Sequence, residues 1–269
     1  MKLEAKNISV DIAGKKILSN ISANFTEGKR IAIIGANGAG KSTLLKVLAA
    51  LNSDYQGEIF LGGENIRKLS RKKIAQSLAV MPQTMQTPPD TTVERLIDFG
   101  RFPYRGIFTS SNPTEDREAV EWALSVVKLE NFKNRQVSSL SGGERQRARI
   151  AMALAQNPEI ILFDEPTTYL DISHQLEVMQ IIRFINEKFK MTVIMVLHDI
   201  NHAIEYSDEI IVLKDTKIFA QGNPKNILTA DLIANVFGVR AEIFTNKVGD
   251  KILFPVSTLK NSLSREVKI

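Results

Sequence analysis

The chain has 269 residues, with no cysteine, one tryptophan and three histidines. Without cysteine there is neither a disulfide framework nor a thiolate metal site, a composition that suits a reducing compartment. Long apolar runs are missing too. The longest, 160–163 and 192–197, have the length of buried strands and fall far short of the roughly 18–20 residues that cross a membrane. The segment Met1-Lys2-Leu3-Glu4-Ala5-Lys6 carries no apolar signal-peptide core. There is no internal repeat, heptad run or low-complexity stretch. These absences point to a soluble or peripheral protein built as one large domain, or one domain with a subdomain. A hydrophobic fraction of 43% supports a sizeable core. The net charge of +5 is mildly basic and can favour an anionic membrane surface or a nucleotide, but lysine and arginine are dispersed. Their densest cluster, 67–73, reads as the exposed start of a helix.

Against this background one stretch stands out. Ile31-Ala32-Ile33-Ile34 reads as a buried parallel strand and Gly35-Ala36-Asn37-Gly38-Ala39-Gly40 as a glycine-rich turn. Lys41-Ser42-Thr43 then leads into an apolar helix over 44–51. The pattern is that of a phosphate-binding loop, G-x-x-x-x-G-K-[ST]. Glycine lets backbone N–H groups aim at an anion without interference from a Cβ. The helix N-terminus adds a partial positive charge. Lys41 can reach the β- and γ-phosphates of a nucleotide, and the Ser42 hydroxyl can ligate Mg²⁺.

Residues 2–30 alternate apolar and polar positions, which predicts antiparallel strands turning at Ala13-Gly14-Lys15. Further strands are predicted at 57–61, 78–81, 160–163, 192–197 and 210–213, with helices at 70–76 and 173–189. From about 85 to 158 the character turns helical. Segments 91–99, 115–129 and 142–156 have helical apolar spacing, and a Pro/Gly/Ser-rich loop occupies 101–113. This predicts a helical subdomain inserted between two strands of an α/β core, and the alternation of strands and helices elsewhere predicts a parallel sheet. After Gly222 the pattern predicts a helix at 231–237 and a hairpin of 240–245 and 252–256 turning near Gly249-Asp250.

The remaining chemistry sits at strand and helix ends. Ile160-Ile161-Leu162-Phe163 runs into Asp164 and Glu165. Asp164, at the strand tip, can hold Mg²⁺ through its water shell, and Glu165 can polarise an attacking water as general base. Leu140-Ser141-Gly142-Gly143-Glu144-Arg145-Gln146 places a serine and two glycines at a helix start, a second anion-binding arrangement. One loop already cradles a phosphate, so this second one is explained by its facing the nucleotide of another copy. Gln83 follows a core strand and can reach Mg²⁺ or the lytic water. His198 stands at a strand tip, placed for a γ-phosphate. His174 and His202 read as exposed helix residues.

In this order the motifs resemble those of the ATP-binding-cassette (ABC) ATPases, over about residues 2–245. Gly35 to Ser42 matches the Walker A motif, Gln83 the Q-loop, and Leu140 to Gln146 the signature. Ile160 to Asp164 matches the Walker B motif, Glu165 the base, Tyr169-Leu170-Asp171 the D-loop and His198 the switch. The resemblance implies a P-loop NTPase α/β fold with an antiparallel β subdomain and an inserted α-helical subdomain at about 85–158. The ATPase domain then spans 1–245, and 246–269 form a C-terminal tail or hairpin extension. Two copies would sandwich two ATP, with Mg²⁺ near Ser42, Gln83 and Asp164. Ser141, Gly142 and Gly143 of one copy would touch the phosphate held by Lys41 of the other, and Asp171 would link the two sites. Where the family places an aromatic residue against adenine, this chain has Ile12. Segments 92–97, 99–104, 164–177 and 197–201 look similar to the importer ATPases for iron–siderophore complexes, haem and vitamin B12, nearest to the ferric-hydroxamate type. That implies a peripheral protein on the cytoplasmic face of a bacterial membrane, driving an integral permease. An external binding protein would choose the cargo, and nucleic acid would not be a partner. Residues 85–99 would receive the permease's coupling helix. The same role for haem, cobalamin or a metal is the alternative, and a non-transport cytosolic ATPase a more distant one.

Overall fold

The computed structural model describes residues 1–105, 112–247 and 250–259. The chain opens with an antiparallel hairpin, β1 (Leu3–Ile12) and β2 (Lys15–Phe25). Its two turn residues, Ala13 and Gly14, both have positive φ, the backbone that a two-residue hairpin of native twist requires. β3 (Arg30–Gly35) and α1 (Lys41–Leu48) follow, then β4 (Gln56–Leu61), β5 (Glu64–Asn65), α2 (Arg71–Ser77) and β6 (Leu78–Met81). Between β6 and the next strand the chain is helical: α3 (Val93–Asp98), a 3-10 segment over Phe99–Tyr104, α4 (Pro113–Val126) and α5 (Gly142–Ala155). The core resumes with β7 (Ile160–Asp164), α6 (Ile172–Phe189), β8 (Thr192–Val196), α7 (Ile200–Tyr206), β9 (Glu209–Lys214) and β10 (Lys217–Gly222). It closes with α8 (Pro224–Ile227), α9 (Ala230–Phe237), β11 (Val239–Thr245) and β12 (Lys251–Thr258).

Three sheets result: β2-β1-β4-β5, β10-β9-β3-β8-β7-β6 and β11-β12. In the six-stranded sheet all neighbours are parallel except the β9–β10 edge. Successive strand residues point to opposite faces, and here that period sorts them into two cores. Ile31, Ile33, Ile160, Leu162, Ile194, Val196, Ile211 and Leu213 join β1, β2 and α1 in one apolar layer. Ala32, Ile34, Ile161, Phe163, Val193, Met195, Ile210 and Val212 join α3 to α6 in the other. Strands buried on both faces read as unbroken apolar runs. The parallel order aims the C-terminal ends of β3, β7 and β8 at one edge, where the phosphate loop, Asp164 and His198 emerge.

Several boundaries differ from expectation. α1 runs Lys41–Leu48 rather than 44–51, because Gly40 caps it in a left-handed conformation and Ala50 turns to positive φ beyond its end. The basic stretch 67–73 is not one helix start but a 3-10 turn followed by α2. There Arg67 lies over the Tyr55 ring, 4.2 Å from its centroid, and donates to the Tyr55 carbonyl. The helix expected around His202, without bounds, is α7, and β10 was not predicted. The proposed division after 245 falls between β11 and β12, which pair along their lengths. That hairpin is tied to α7 by two hydrogen bonds between Asn201 and the Leu253 backbone, at 3.1 and 2.8 Å. Of the predicted turn Gly249-Asp250, Gly249 lies outside the described residues, as do 106–111 of the loop 101–113.

Candidate active site

Between the end of β3 and the start of α1 the chain must reverse within five residues. Gly40, at φ +93°, makes this possible. A Cβ there would stand 2.7 Å from Leu18 Cδ2 and 2.9 Å from the Ile17 carbonyl. No side chain caps α1, so its first N–H groups stay open to an anion. Lys41 is only 6% exposed, and its ammonium donates to the carbonyls of Gly35 at 2.9 Å and Ala36 at 3.0 Å. Burial pulls its pKa below the ordinary lysine value, against the pull of Glu165 and Asp164. A buried ammonium with only carbonyl partners is short of negative charge, which a phosphate supplies.

Ser42, one residue on, donates its hydroxyl to Asp164 Oδ1 at 2.9 Å. Asp164 ends β7 almost fully buried; burial raises its pKa, and the Ser42 hydrogen bond works against that rise. A buried carboxylate satisfied by a single hydroxyl fits a hard divalent cation. No group of three or more His, Cys, Asp or Glu side chains among the described residues holds a metal by itself. Two protein oxygens are nonetheless the kind of site Mg²⁺ uses, because it keeps its waters and takes phosphate oxygens.

Glu165 follows in a left-handed conformation, φ +56°, which costs a non-glycine residue about 1–3 kcal/mol. Three side chains hold its carboxylate there. His198 Nε2 lies 2.5 Å from one oxygen. Gln83 Nε2 and Thr168 Oγ1 donate to the other at 2.6 and 3.1 Å. Gln83 and His198 thus converge on the Glu165 carboxylate. The Gln83 amide bonds Glu165 rather than Ser42 or Asp164.

The second anion-binding turn stands apart from this cluster. Ser141 caps α5 in a reciprocal box: its Oγ accepts from the Glu144 N–H at 3.2 Å, and its own N–H donates to Glu144 Oε2 at 2.8 Å. That backbone hydrogen bond heads the causes holding the Glu144 carboxyl below its usual range. The Ser141 oxygen acts here as acceptor, so its O–H can still donate to a phosphate. Ser141 and Gly142 are exposed, whereas Gly143 is buried under the His174 ring, which would collide with a Cβ. His174 is therefore not the free surface residue expected. Its backbone N–H donates to Asp171 Oδ1 at 3.0 Å, and its Nδ1 lies 2.8 Å from both Asp171 oxygens. These bonds, the backbone one first, hold the Asp171 pKa down to about 2. His202 is likewise half-buried, its ring edge-on to Tyr206. Around Asp171, Tyr169 and Ile172 are 90% and 78% exposed, an apolar exposure of the sort found at protein interfaces.

Ile12 closes β1 opposite Lys15, half-exposed. The neighbouring strand β2 lies against Gly40, so this hairpin borders the phosphate loop. Sequence reasoning missed Thr168 and the roles of Gln146 and His174. Gln146 is 9% exposed and donates to the Pro166 carbonyl at 2.5 Å.

The family model described as "ABC transporter" matches residues 18–168. The petrobactin import ATP-binding protein FpuC of Bacillus anthracis is 46% identical, over 84% of this chain and 83% of its own length. The iron(3+)-hydroxamate import ATP-binding protein FhuC of Bacillus subtilis is 39% identical, over 91% and 90%. Among solved structures, the dimeric ATP-binding cassette MJ0796 in a post-hydrolysis state, bound to ADP and Pi, superposes with a TM-score of 0.71. It is 31% identical and covers 82% of this chain and 98% of its own.

Proposed function

Because the chain belongs to the ABC transporter family, we propose that it is the ATP-hydrolysing subunit of an iron–siderophore importer, working as a pair of copies against a membrane permease. Division of the site is the observation that carries this function. Lys41, Ser42, Asp164, Glu165, Gln83 and His198 gather at one sheet edge, whereas Ser141 and Gly142 are exposed at a helix start whose capping bonds stay local. Neither part encloses a triphosphate. A second copy supplies the missing half in this proposal; the solved cassette MJ0796, bound to ADP and Pi, is itself dimeric.

In this proposal Lys41 and the open N–H groups of α1, with those of Gly38 to Thr43, hold the β- and γ-phosphates. Ile12 offers an aliphatic surface to the base. Ser42 and Asp164, with Gln83 at their side, are the residues that would hold Mg²⁺, whose charge neutralises the phosphate oxygens. Ser141 of the second copy donates its hydroxyl to the γ-phosphate, and the N–H groups of its Gly142 and Gly143 line the same side. Glu165 takes the proton of the attacking water as its oxygen bonds phosphorus and the bond to ADP breaks. His198 and Gln83 keep the carboxylate aimed. Catalysis is then positioning and charge stabilisation, as phosphoryl transfer demands.

No described helix is long and apolar enough to cross a membrane, and in this proposal the chain pairs with an integral permease and sits peripherally on its cytoplasmic side. One ATPase unit with an inserted helical subdomain and a terminal hairpin serves that role. The named cargoes of the relatives, petrobactin at 46% and iron(3+)-hydroxamate at 39%, support an iron–siderophore cargo as a class. Mixed pairs test the shared site. Ser141→Arg and Lys41→Ala chains should each be inactive alone, and mixing them should restore one composite site and its hydrolysis. No recovery on mixing contradicts the shared arrangement.

A further inference from the structure

Two contacts join parts that the proposed function assigns to different nucleotides. α5 begins at the turn that meets the partner copy's ATP. One turn further in, Gln146 donates to the carbonyl of Pro166, the residue next to Glu165, base of the chain's own ATP. At 2.5 Å and 9% exposure this bond is short and sheltered from water. The start of α5 is also seated on the D-loop. The His174 ring lies directly over Gly143, Asp171 grips that ring with both oxygens, and Gly142 packs near Leu170. Arg149 extends the row: it donates to the Met85 carbonyl at 3.1 Å, two residues beyond Gln83.

Residues 143, 146 and 149 are spaced three apart, so they share one face of the helix. α5 cannot shift along its axis without carrying all three contacts. Its start is stiffened by the Ser141–Glu144 box. Beyond the Gln146 bond there is little slack either, since proline fixes φ at position 166 and Glu165 is already held at φ +56°. From this geometry the structure assigns Gln146 and His174 as positioning residues that relay engagement of one nucleotide to the hydrolytic base of the other. The assignment rests on the paired function proposed above. A γ-phosphate drawing in the Ser141–Gly143 turn of one copy pulls α5, and α5 sets the Pro166 carbonyl and so the line of the Glu165 carboxylate in that copy's own site. The two hydrolyses are thereby linked through each chain, not only across the interface.

The test is ATP hydrolysis by Gln146→Leu, which keeps bulk but loses the donor, beside His174→Ala and the unaltered protein. The unaltered protein is expected to hydrolyse with a Hill coefficient approaching about 2, the number of sites. In each variant kcat should fall roughly tenfold, the rate equivalent of one lost buried hydrogen bond. Half-saturating ATP should move less than about twofold and the Hill coefficient drop to about 1. In a Glu165→Gln background both variants should still form the ATP-held pair. Unchanged kcat and cooperativity in folded Gln146→Leu would overturn the relay, and so would a loss of ATP binding as large as the loss of rate. If Gln146→Leu does not fold, His174→Ala carries the test with the same readouts. A Glu165→Gln protein that stays a single copy in ATP overturns the paired function itself, and is told apart because it needs no change at 146 or 174.

Discussion

Glu165 is gripped by His198, Gln83 and Thr168 at once, and its exchange for glutamine isolates its chemistry from its packing. Glu165→Gln should bind ATP as before and hydrolyse it about 10²–10⁴-fold more slowly, the loss expected of a general base. Turnover at the ordinary rate removes it from that role. Lys41→Ala leaves the phosphate loop without its buried cation, and titration with a fluorescent ATP analogue should show no saturable binding. Gly143→Ala puts a methyl group into the His174 ring, and overpacking of this kind costs about 1–3 kcal/mol, readable by urea unfolding. Adding His174→Ala should restore most of that loss, because the two residues share one space. Individual residues were legible where chemistry demands a fixed local pattern: the glycine loop, the acids ending β7 and the serine capping α5. His174, Gln146 and Thr168 were not. The partners of His174 and Gln146, Gly143 and Pro166, are chosen by how α5 and α6 pack, and no local period in one sequence records that; Thr168 meets Glu165 within the turn that follows β7, whose geometry the residue types alone do not give.

The 3-10 segment Phe99–Tyr104 shows what a helical insertion needs to stay attached. Gly100 has no room for a Cβ against the Met152 carbonyl. Arg101, 5% exposed, donates to Asp116 of α4 at 2.8 Å and to the Ala155 carbonyl ending α5 at 2.8 Å. The Tyr104 hydroxyl donates to the Gln156 carbonyl at 2.9 Å, and the Gln156 amide reaches back to the Leu78 carbonyl of β6 at 2.8 Å. α4, α5 and the parallel sheet are thus pinned at one point. Burial pushes the Asp116 pKa up, but hydrogen bonds from Arg101 and Arg105 outweigh it and the carboxyl stays below its ordinary value of 3.8. A carboxyl with a depressed pKa contributes stability above its ordinary pKa and loses it as pH falls through the lower one. The tie should therefore be intact from neutral pH to about 4 and weaken below. Asp116→Asn strands the Arg101 charge, which costs about 3–5 kcal/mol for a buried pair. Urea unfolding at pH 7 measures the loss, and the variant should show a flatter acid limb. The strands around this point were predictable because apolar runs buried on two faces are unmistakable. β10 was not, since its alternate residues are half-buried and exposed at the sheet edge. The bounds of α7 were not, because seven residues show too little of a helical period.

Seen as one body, the chain exposes its unfinished parts together. Ser141 and Gly142, the bare Tyr169 and Ile172 and the Asp171–His174 clip all belong to the signature and D-loop segments that pack on one another through Leu170 and His174. Large apolar side chains left bare together, as Tyr169 and Ile172 are, mark an interaction surface. Relatives named for different cargoes, petrobactin and iron(3+)-hydroxamate, are 46% and 39% identical to this chain. Siderophore specificity should travel with the permease and binding protein recovered with it, and a preparation that never retains an integral membrane partner would contradict the importer role. The shared reaction chamber has a simpler test. Light scattering on the Glu165→Gln protein with saturating MgATP should give about 60 kDa, twice the 30.0 kDa of one chain, and return to the single mass when ATP is removed. A mass that stays at one chain with ATP bound would contradict the account.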